Sequence, residues 1–94
     1  MVGEPGNLEN NPAWECYPNP AKGRFNLELV LTKENQITAN IYDLQGRLIK
    51  NLFDQTISSG IHHFNYDLAL PAGIYHLRLS GKDFVSSKKL VILH

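Results

Sequence analysis

The stretch YPNPAKGRFNLELVL (residues 17–31) joins a proline-rich turn to a clean alternation of apolar and polar side chains. Proline has no N–H to give to a strand ladder, so Pro18 and Pro20 end any strand that precedes them. From Phe25 onward the apolar side chains occupy every second position, which is the period of a half-buried β-strand. We expect Tyr17 and Phe25 to enter the core on either side of the turn. We also expect the two prolines to keep this segment from pairing with neighbouring strands.

The same period of two recurs along the rest of the chain, broken about every 8–12 residues by turn residues. No segment sustains the 3.6-residue period of a helix. In the segment DLQGR, Asp43 suits the first position of a type I turn and Gly46 suits the left-handed position of a hairpin bulge. The pattern predicts an all-β fold, an immunoglobulin-like antiparallel β-sandwich of about seven strands. The predicted strands are residues 14–17, 25–31, 36–43, 47–57, 61–68, 74–80 and 84–94.

Composition excludes several classes of function. Nine Lys and Arg residues balance nine Asp and Glu residues without clustering, so we predict no nucleic-acid binding. No apolar run is long enough for a membrane-spanning helix, and we predict no stable membrane insertion. Residues 1–13 are rich in Asn, Gly, Pro and Glu and lack a signal-peptide core, so they are predicted to be a flexible leader or linker to a domain of residues 14–94. Met1 is expected to begin either an engineered expression product or a fragment of a larger chain.

Residues able to do chemistry are present but not in a catalytic arrangement. No G-x-S-x-G motif accompanies the serines, and adjacent His62 and His63 must point to opposite faces of a strand. His63 and His76 could approach each other if their strands pair, but no third metal ligand is evident. Phosphate-binding glycine motifs are absent. We therefore predict no catalytic residues, no metal and no cofactor. The residues that could contribute to an acyl-transfer triad are Ser58 or Ser59, His62 or His63, and Asp54 or Asp67.

Two further features leave alternatives open. The single cysteine, Cys16, is expected to be a small buried hydrophobe. Aromatic side chains could fill the core or form a platform on which sugar rings stack, and the inward parity of Tyr66 and Tyr75 favours the core. The sequence does not decide whether Trp14 lies in the core or on such a platform. The aromatic residues in question are Trp14, Tyr17, Tyr42, Tyr66 and Tyr75.

The C-terminal strand is apolar on both faces from Leu90 to Leu93. Such a strand is either central in its sheet or covered by another part of the protein. Lys88 and Lys89 precede this run and are typical of charges that prevent edge-to-edge pairing. The alternative is that a partner recognises this terminus by strand addition.

The order of these features resembles the C-terminal sorting domain of the type IX, or Por, secretion system. The resemblance covers residues 15–94 and depends on three motifs in series: a PNPxxG turn, a glycine followed by LPAGIYHLRL, and a terminal KKLVIL. The residues that match are Pro18, Asn19, Pro20 and Gly23, then Gly60, Leu70, Gly73 and Tyr75, then Lys89, Leu90, Val91 and Ile92.

The resemblance implies a function that the search for chemistry did not supply. The domain would be a non-catalytic signal carried by a larger secreted protein, often a hydrolase, of a Bacteroidetes-type bacterium. It would direct this upstream cargo from the periplasm through an outer-membrane translocon, after which a sortase usually removes it and the cargo reaches the cell surface or the medium. The alternative function is an accessory carbohydrate-binding or spacer module of a secreted glycoside hydrolase.

Overall fold

The chain forms two layers of antiparallel β-strands. A computed structural model describes residues 12–93, and within this range the chain has seven strands and no helix, which confirms the all-β prediction. No helix in the described range is long and apolar enough to cross a membrane. Most of the predicted leader, residues 1–11, lies outside the described residues. The strands are β1 (Ala13–Tyr17), β2 (Arg24–Leu31), β3 (Asn35–Tyr42), β4 (Leu48–Ile57), β5 (Gly60–Asp67), β6 (Gly73–Ser80) and β7 (Val85–Ile92).

The strands divide into a three-stranded sheet, in the order β1-β2-β5, and a four-stranded sheet, in the order β4-β3-β6-β7. This arrangement is the predicted immunoglobulin-like sandwich. In immunoglobulin constant domains the fourth strand lies in the same sheet as the first, second and fifth. Here β4 pairs with β3 instead, through a hairpin. Each sheet therefore ends in two edge strands, β1 and β5 in the first sheet and β4 and β7 in the second.

The core lies between the sheets and is built by the side chains that alternate inward. Phe25, Leu27 and Leu29 of β2 are fully buried, as the period of two predicts. Full burial of one such side chain contributes about 1.5–3 kcal/mol relative to its exposure. The period of two holds in two other strands, which bury Ile37, Ala39 and Ile41 of β3, and Tyr75, Leu77 and Leu79 of β6.

The strand with the least regular sequence, β4, is the most exposed one. Its pairing with β3 shifts register twice, between Ala39 and Asn40 and between Ile41 and Tyr42. Of its ten residues only Ile57 is buried, although Leu52 and Phe53 pack against the core. The poor alternation of apolar and polar residues in β4 thus belongs to an irregular edge strand that covers little of the core.

Aromatic side chains close the side of the sandwich where β4 and β5 face each other. The Phe53 and Phe64 rings stack with their centroids 4.7 Å apart, and the Tyr66 ring lies 5.6 Å from that of Phe25. Tyr66 points inward as predicted, and so does Phe64, but both are only half-buried because β5 is an edge strand. Partial burial raises the pKa of the Tyr66 hydroxyl. These rings act as a side wall of the core.

The β3–β4 hairpin has the predicted geometry. Gly46 has a φ of 85°, and the Asp43 carbonyl oxygen accepts a hydrogen bond from the Gly46 N–H at 3.0 Å. The Asp43 carboxylate accepts hydrogen bonds from the N–H groups of Gln45 and Arg47, and the Arg47 Nε lies 2.8 Å from Oδ2. The hydrogen bond from the Arg47 backbone is the main cause that holds the pKa of Asp43 below its ordinary value of 3.8.

The lowered pKa of Asp43 predicts a pH-dependent contribution to stability. Because the folded state favours the carboxylate, the contribution is present above the ordinary pKa of 3.8 and is lost as the pH falls through the lower folded value. Asp43→Asn should therefore melt at a lower temperature than wild type near neutral pH, and the difference should shrink in acid. Thermal unfolding between about pH 2 and pH 7 measures both curves. Asp83→Asn, at an exposed carboxylate, is the matched control. A constant difference between wild type and Asp43→Asn across this range would contradict the assignment.

Candidate functional site

The segment between β1 and β2 crosses from one sheet to the other. β1 pairs with β2 in the first sheet up to Tyr17, and Ala21 then forms an isolated parallel bridge with Ile92 of β7 in the second sheet. The peptide bonds that precede Pro18 and Pro20 are both cis. Two expectations from the sequence are therefore wrong. The prolines do not prevent pairing, and Tyr17 is 44% exposed because it lies where the chain leaves the sandwich.

Four hydrogen bonds join this segment to the outer edge of β7, and we call them the edge clasp. The Asn19 side chain makes two of them: its Nδ2 donates to the Lys89 carbonyl oxygen at 2.7 Å, and its Oδ1 accepts from the Val91 N–H at 3.0 Å. Ala21 makes the other two through its backbone. Its N–H donates to the Val91 carbonyl oxygen and its carbonyl oxygen accepts from the Leu93 N–H, both at 2.7 Å.

The edge clasp explains why an asparagine lies between two prolines. Pro18 and Pro20 have no N–H, so this part of the backbone cannot supply a regular ladder. A primary amide carries both donors and an acceptor, as a peptide group does. The Asn19 side chain thus takes the place of a strand residue opposite Lys89 and Val91. The apolar C-terminal strand was expected to be either central in its sheet or covered by another part of the protein. It is an edge strand, β7, and the turn between β1 and β2 covers its last residues.

Gly23 connects the same turn to the end of β5. Its φ of 88° lies in the left-handed region, and its carbonyl oxygen accepts a hydrogen bond from the Leu68 N–H at 2.6 Å. A Cβ at this position would lie 3.3 Å from the Leu68 carbonyl oxygen, so a side chain would be both strained and crowded. Gly23 therefore has a structural reason to be glycine.

The LPAG segment before β6 forms a tyrosine corner. The Tyr75 hydroxyl donates to the Pro71 carbonyl oxygen at 2.6 Å, four residues upstream, while the ring is buried. In immunoglobulin-like folds a tyrosine near the start of the sixth strand holds the preceding corner in this way. Leu70 is half-buried and packs against the core, and Gly73 lies beside the Tyr75 ring.

The structure gathers all of the predicted motif residues except Gly60 at one end of the sandwich. Gly73 is paired with Ile92, and Tyr75 is paired with Leu90. Gly60 lies at the other end, opposite Leu31, with a φ of 123°. The buried members are Tyr75, Leu90 and Ile92, the half-buried members are Gly23, Leu70, Gly73 and Val91, and the exposed members are Pro18, Asn19, Pro20, Gly60 and Lys89.

Sequence reasoning missed two small residues that the fold requires. Ala21 is fully buried at the edge clasp, where the sequence indicated an exposed turn. A Cβ on Gly81 would lie 2.5 Å from the Phe84 ring, and the Gly81 N–H donates to the Phe84 carbonyl oxygen at 2.9 Å. The only local signal is a small residue within a turn, and this signal does not reveal which small residues are buried.

The acyl-transfer candidates are engaged with other partners. The His62 Nε2 lies 2.9 Å from the backbone carbonyl oxygen of Ser58, not from its hydroxyl, and the His63 Nε2 lies 3.0 Å from the Glu28 carboxylate. Asp54 accepts hydrogen bonds from the side chains of Gln36 and Thr38. The remaining aspartate candidate, Asp67, pairs with Arg24 at 3.4 Å.

The two histidines considered for a metal site lie apart in the topology. His63 is on β5 in the first sheet, and His76 is on β6 in the second, so their strands do not pair. Within residues 12–93 no group of three or more His, Cys, Asp or Glu side chains is arranged to hold a metal ion. Cys16 is buried as predicted, and its burial raises the pKa of the thiol, which favours the unreactive protonated form.

The aromatic side chains do not share one exposed surface. Trp14 and Tyr75 are buried in the core. The Trp14 Nε1 donates to the Ser86 hydroxyl at 2.9 Å, which links β1 to β7 across the two sheets, and Lys88 lies 5.2 Å from the Trp14 ring. Trp14 and Tyr75 therefore cannot present their faces to a sugar ring. The undecided case of Trp14 is resolved as a core residue.

These features define an immunoglobulin-like sandwich whose first turn is fastened to its last strand. Comparison with family models gave a match to the "Secretion system C-terminal sorting domain" over residues 15–93. The chain belongs to this family, which confirms the resemblance read from the motifs. The domain is thus a sorting signal of type IX secretion, and the protein that carries it is exported. The family is non-catalytic. Comparison with curated proteins gave no match.

Loss of the Asn19 amide should loosen the end of β7. Asn19→Ala removes two exposed hydrogen bonds. At about 0.5–1.5 kcal/mol each, their loss should lower the free energy of unfolding by about 1–3 kcal/mol. The amide hydrogen of Val91 should exchange faster, because its acceptor is lost. Asn65→Ala, at an exposed asparagine of β5, is the matched control for denaturant unfolding and hydrogen exchange. Unchanged protection of Val91 in Asn19→Ala would refute the edge clasp.

The tyrosine corner can be tested by removal of one oxygen atom. Tyr75→Phe keeps the buried ring but loses the hydrogen bond to Pro71, so the free energy of unfolding should fall by about 1 kcal/mol. Tyr17→Phe removes the hydroxyl of an exposed tyrosine and should change stability much less. Urea unfolding measures the free energy of unfolding of both variants. An equal decrease in both would argue against a hydrogen bond at the corner.

Proposed function

We propose that this domain directs a larger protein, attached upstream of it, from the periplasm through the outer-membrane translocon, and that a sortase then removes the domain. Membership of the sorting-domain family supports this route. The observation that carries the proposal is the convergence of the motifs. Residues far apart in sequence meet at one end of the sandwich through the edge clasp, and they form a single structural unit there.

The proposed role needs a stable scaffold and an exposed signal, and it needs no chemistry. The core supplies the scaffold, and Pro18, Pro20 and Lys89 lie exposed at the motif end. We propose that the twelve motif residues divide accordingly. Most of them maintain the fold at this end, and the exposed ones are available to the secretion machinery. The cargo is proposed to be a hydrolase released to the medium or retained at the cell surface, a proposal that depends on the usual cargo of the family alone.

A reporter fusion tests the proposal directly. A fluorescent protein with a periplasmic export signal is placed before residues 1–94 in a bacterium that has the type IX pathway. The reporter should appear outside the outer membrane, whereas the same reporter without the domain should remain in the periplasm. A host without the translocon should also retain the fusion. Periplasmic retention of the full fusion in the competent host would refute a sorting role.

The same experiment separates sorting from cleavage. Sortase action would shorten the exported fusion by nearly the mass of the domain, 10.6 kDa. Mass spectrometry of the exported reporter measures this difference. An exported fusion of full mass would support sorting and contradict cleavage.

A further inference from the structure

The exposed motif residue Lys89 belongs to a larger surface on the outer face of the four-stranded sheet. The inward residues of β6 are Tyr75, Leu77 and Leu79, so its even-numbered residues point outward. In the register of the sheet, His76 lies opposite both Tyr42 of β3 and Lys89 of β7. Tyr42, His76 and Lys89 therefore form one row across three strands.

Two neighbouring rows extend this surface. On one side Ile74 lies opposite Val91, and Ile74 is 43% exposed. On the other side Arg78 lies opposite Asn40 and Ser87, and the Arg78 guanidinium lies 4.6 Å from the centre of the Tyr42 ring. We call this surface the basic-apolar face. It consists of Tyr42, Ile74, His76, Arg78, Lys89 and Val91.

The charge of the basic-apolar face is not balanced locally. No acidic residue occupies the three rows, and the nearest one along β4, Asp54, lies opposite Thr38 in the following row. Within residues 12–93 the ion pairs are formed by other cations, namely Arg24, Arg47, His63 and Lys88. The side chains of Arg78 and Lys89 are thus held on a rigid sheet without a carboxylate partner in the described part of the chain.

Given the sorting function proposed above, on which this inference depends, we infer that the basic-apolar face docks a folded protein surface with carboxylates around an apolar centre. Interface cores are enriched in tyrosine and arginine, and charge complementarity determines orientation and partner choice. Lys89 and Val91 belong to the last motif, yet their side chains are not needed in the core. A docking role explains why Lys89 and Val91 belong to the motif.

The composition of the face favours a protein partner over an anionic membrane. Polybasic membrane binding uses clusters of about 4–8 Lys and Arg residues, whereas this face has two of them and one histidine. Its apolar side chains are fixed in register on β6 and β7. The three strands span about 10 Å at a spacing of about 4.8 Å, so the face is small.

Charge reversal in the reporter fusion tests the inference. The double variant Arg78→Glu/Lys89→Glu should lower export at least about tenfold, because it places like charges against the acidic partner. Lys33→Glu/Lys82→Glu, which makes the same charge change at exposed loop residues, should export within about twofold of wild type. Circular dichroism and thermal unfolding establish that each domain is folded, and Arg78→Gln/Lys89→Gln replaces the first variant if that one does not fold.

The outcomes distinguish the inference from the proposed function. Retention of the wild-type fusion would refute the sorting function itself. Export of the wild-type fusion together with undiminished export of the folded face variant would overturn only the inference. Equal losses in the face variant and the loop variant would also overturn it, since the effect would then follow net charge and not this face.

A cross-linking experiment tests the class of partner. The photoreactive residue p-benzoylphenylalanine replaces Ile74 on the face, or Ile61, which is 65% exposed on the other sheet, as the control. During export, position 74 should yield a protein adduct whose cross-linked peptide is rich in Asp and Glu, and Arg78→Glu/Lys89→Glu should abolish it. Equal adducts from both positions would overturn the inference. So would binding of the purified chain to phosphatidylglycerol-containing vesicles if the same double variant abolishes that binding.

Discussion

The outer edge of the last strand carries backbone groups that no neighbouring strand pairs, and the edge clasp satisfies them. Four hydrogen bonds to Asn19 and Ala21 occupy the carbonyl oxygens of Lys89 and Val91 and the N–H groups of Val91 and Leu93. An unpaired edge is a site for unwanted strand addition. The need to cover it accounts for the path of the first turn, the asparagine between two prolines and the buried alanine that follows.

Two further contacts keep that turn in position. Gly23 is bonded to Leu68 at the end of β5, and Tyr75 fixes the corner that leads from β5 into β6. The first sheet, the corner and the last strand are thus joined at one end of the sandwich. The predicted motif residues other than Gly60 are therefore parts of one connected structure at this end of the sandwich.

The sequence predicted the strands with regular apolar–polar alternation well, but it did not predict which segments pair with one another. In β2, β3 and β6 one face is fully covered, so each inward position must be apolar and the alternation is readable. β4 is an irregular edge strand, and its alternation is correspondingly blurred. The pairing of residues 19–21 with β7 could not be predicted, because an amide side chain that replaces a strand residue leaves no periodic signal. For the same reason the sequence could not show whether His63 and His76 lie on paired strands, and their strands belong to different sheets.

The bonded atoms of Asn19 and Val91 are separated by 72 positions in the chain. Contacts so distant in sequence require the intervening chain to close a long loop, which costs conformational entropy. A chain truncated before Lys89 lacks the atoms to which Asn19 and Ala21 bond, so it cannot complete this end of the sandwich. This end of the sandwich therefore requires both extremes of the domain, the first turn and the last strand.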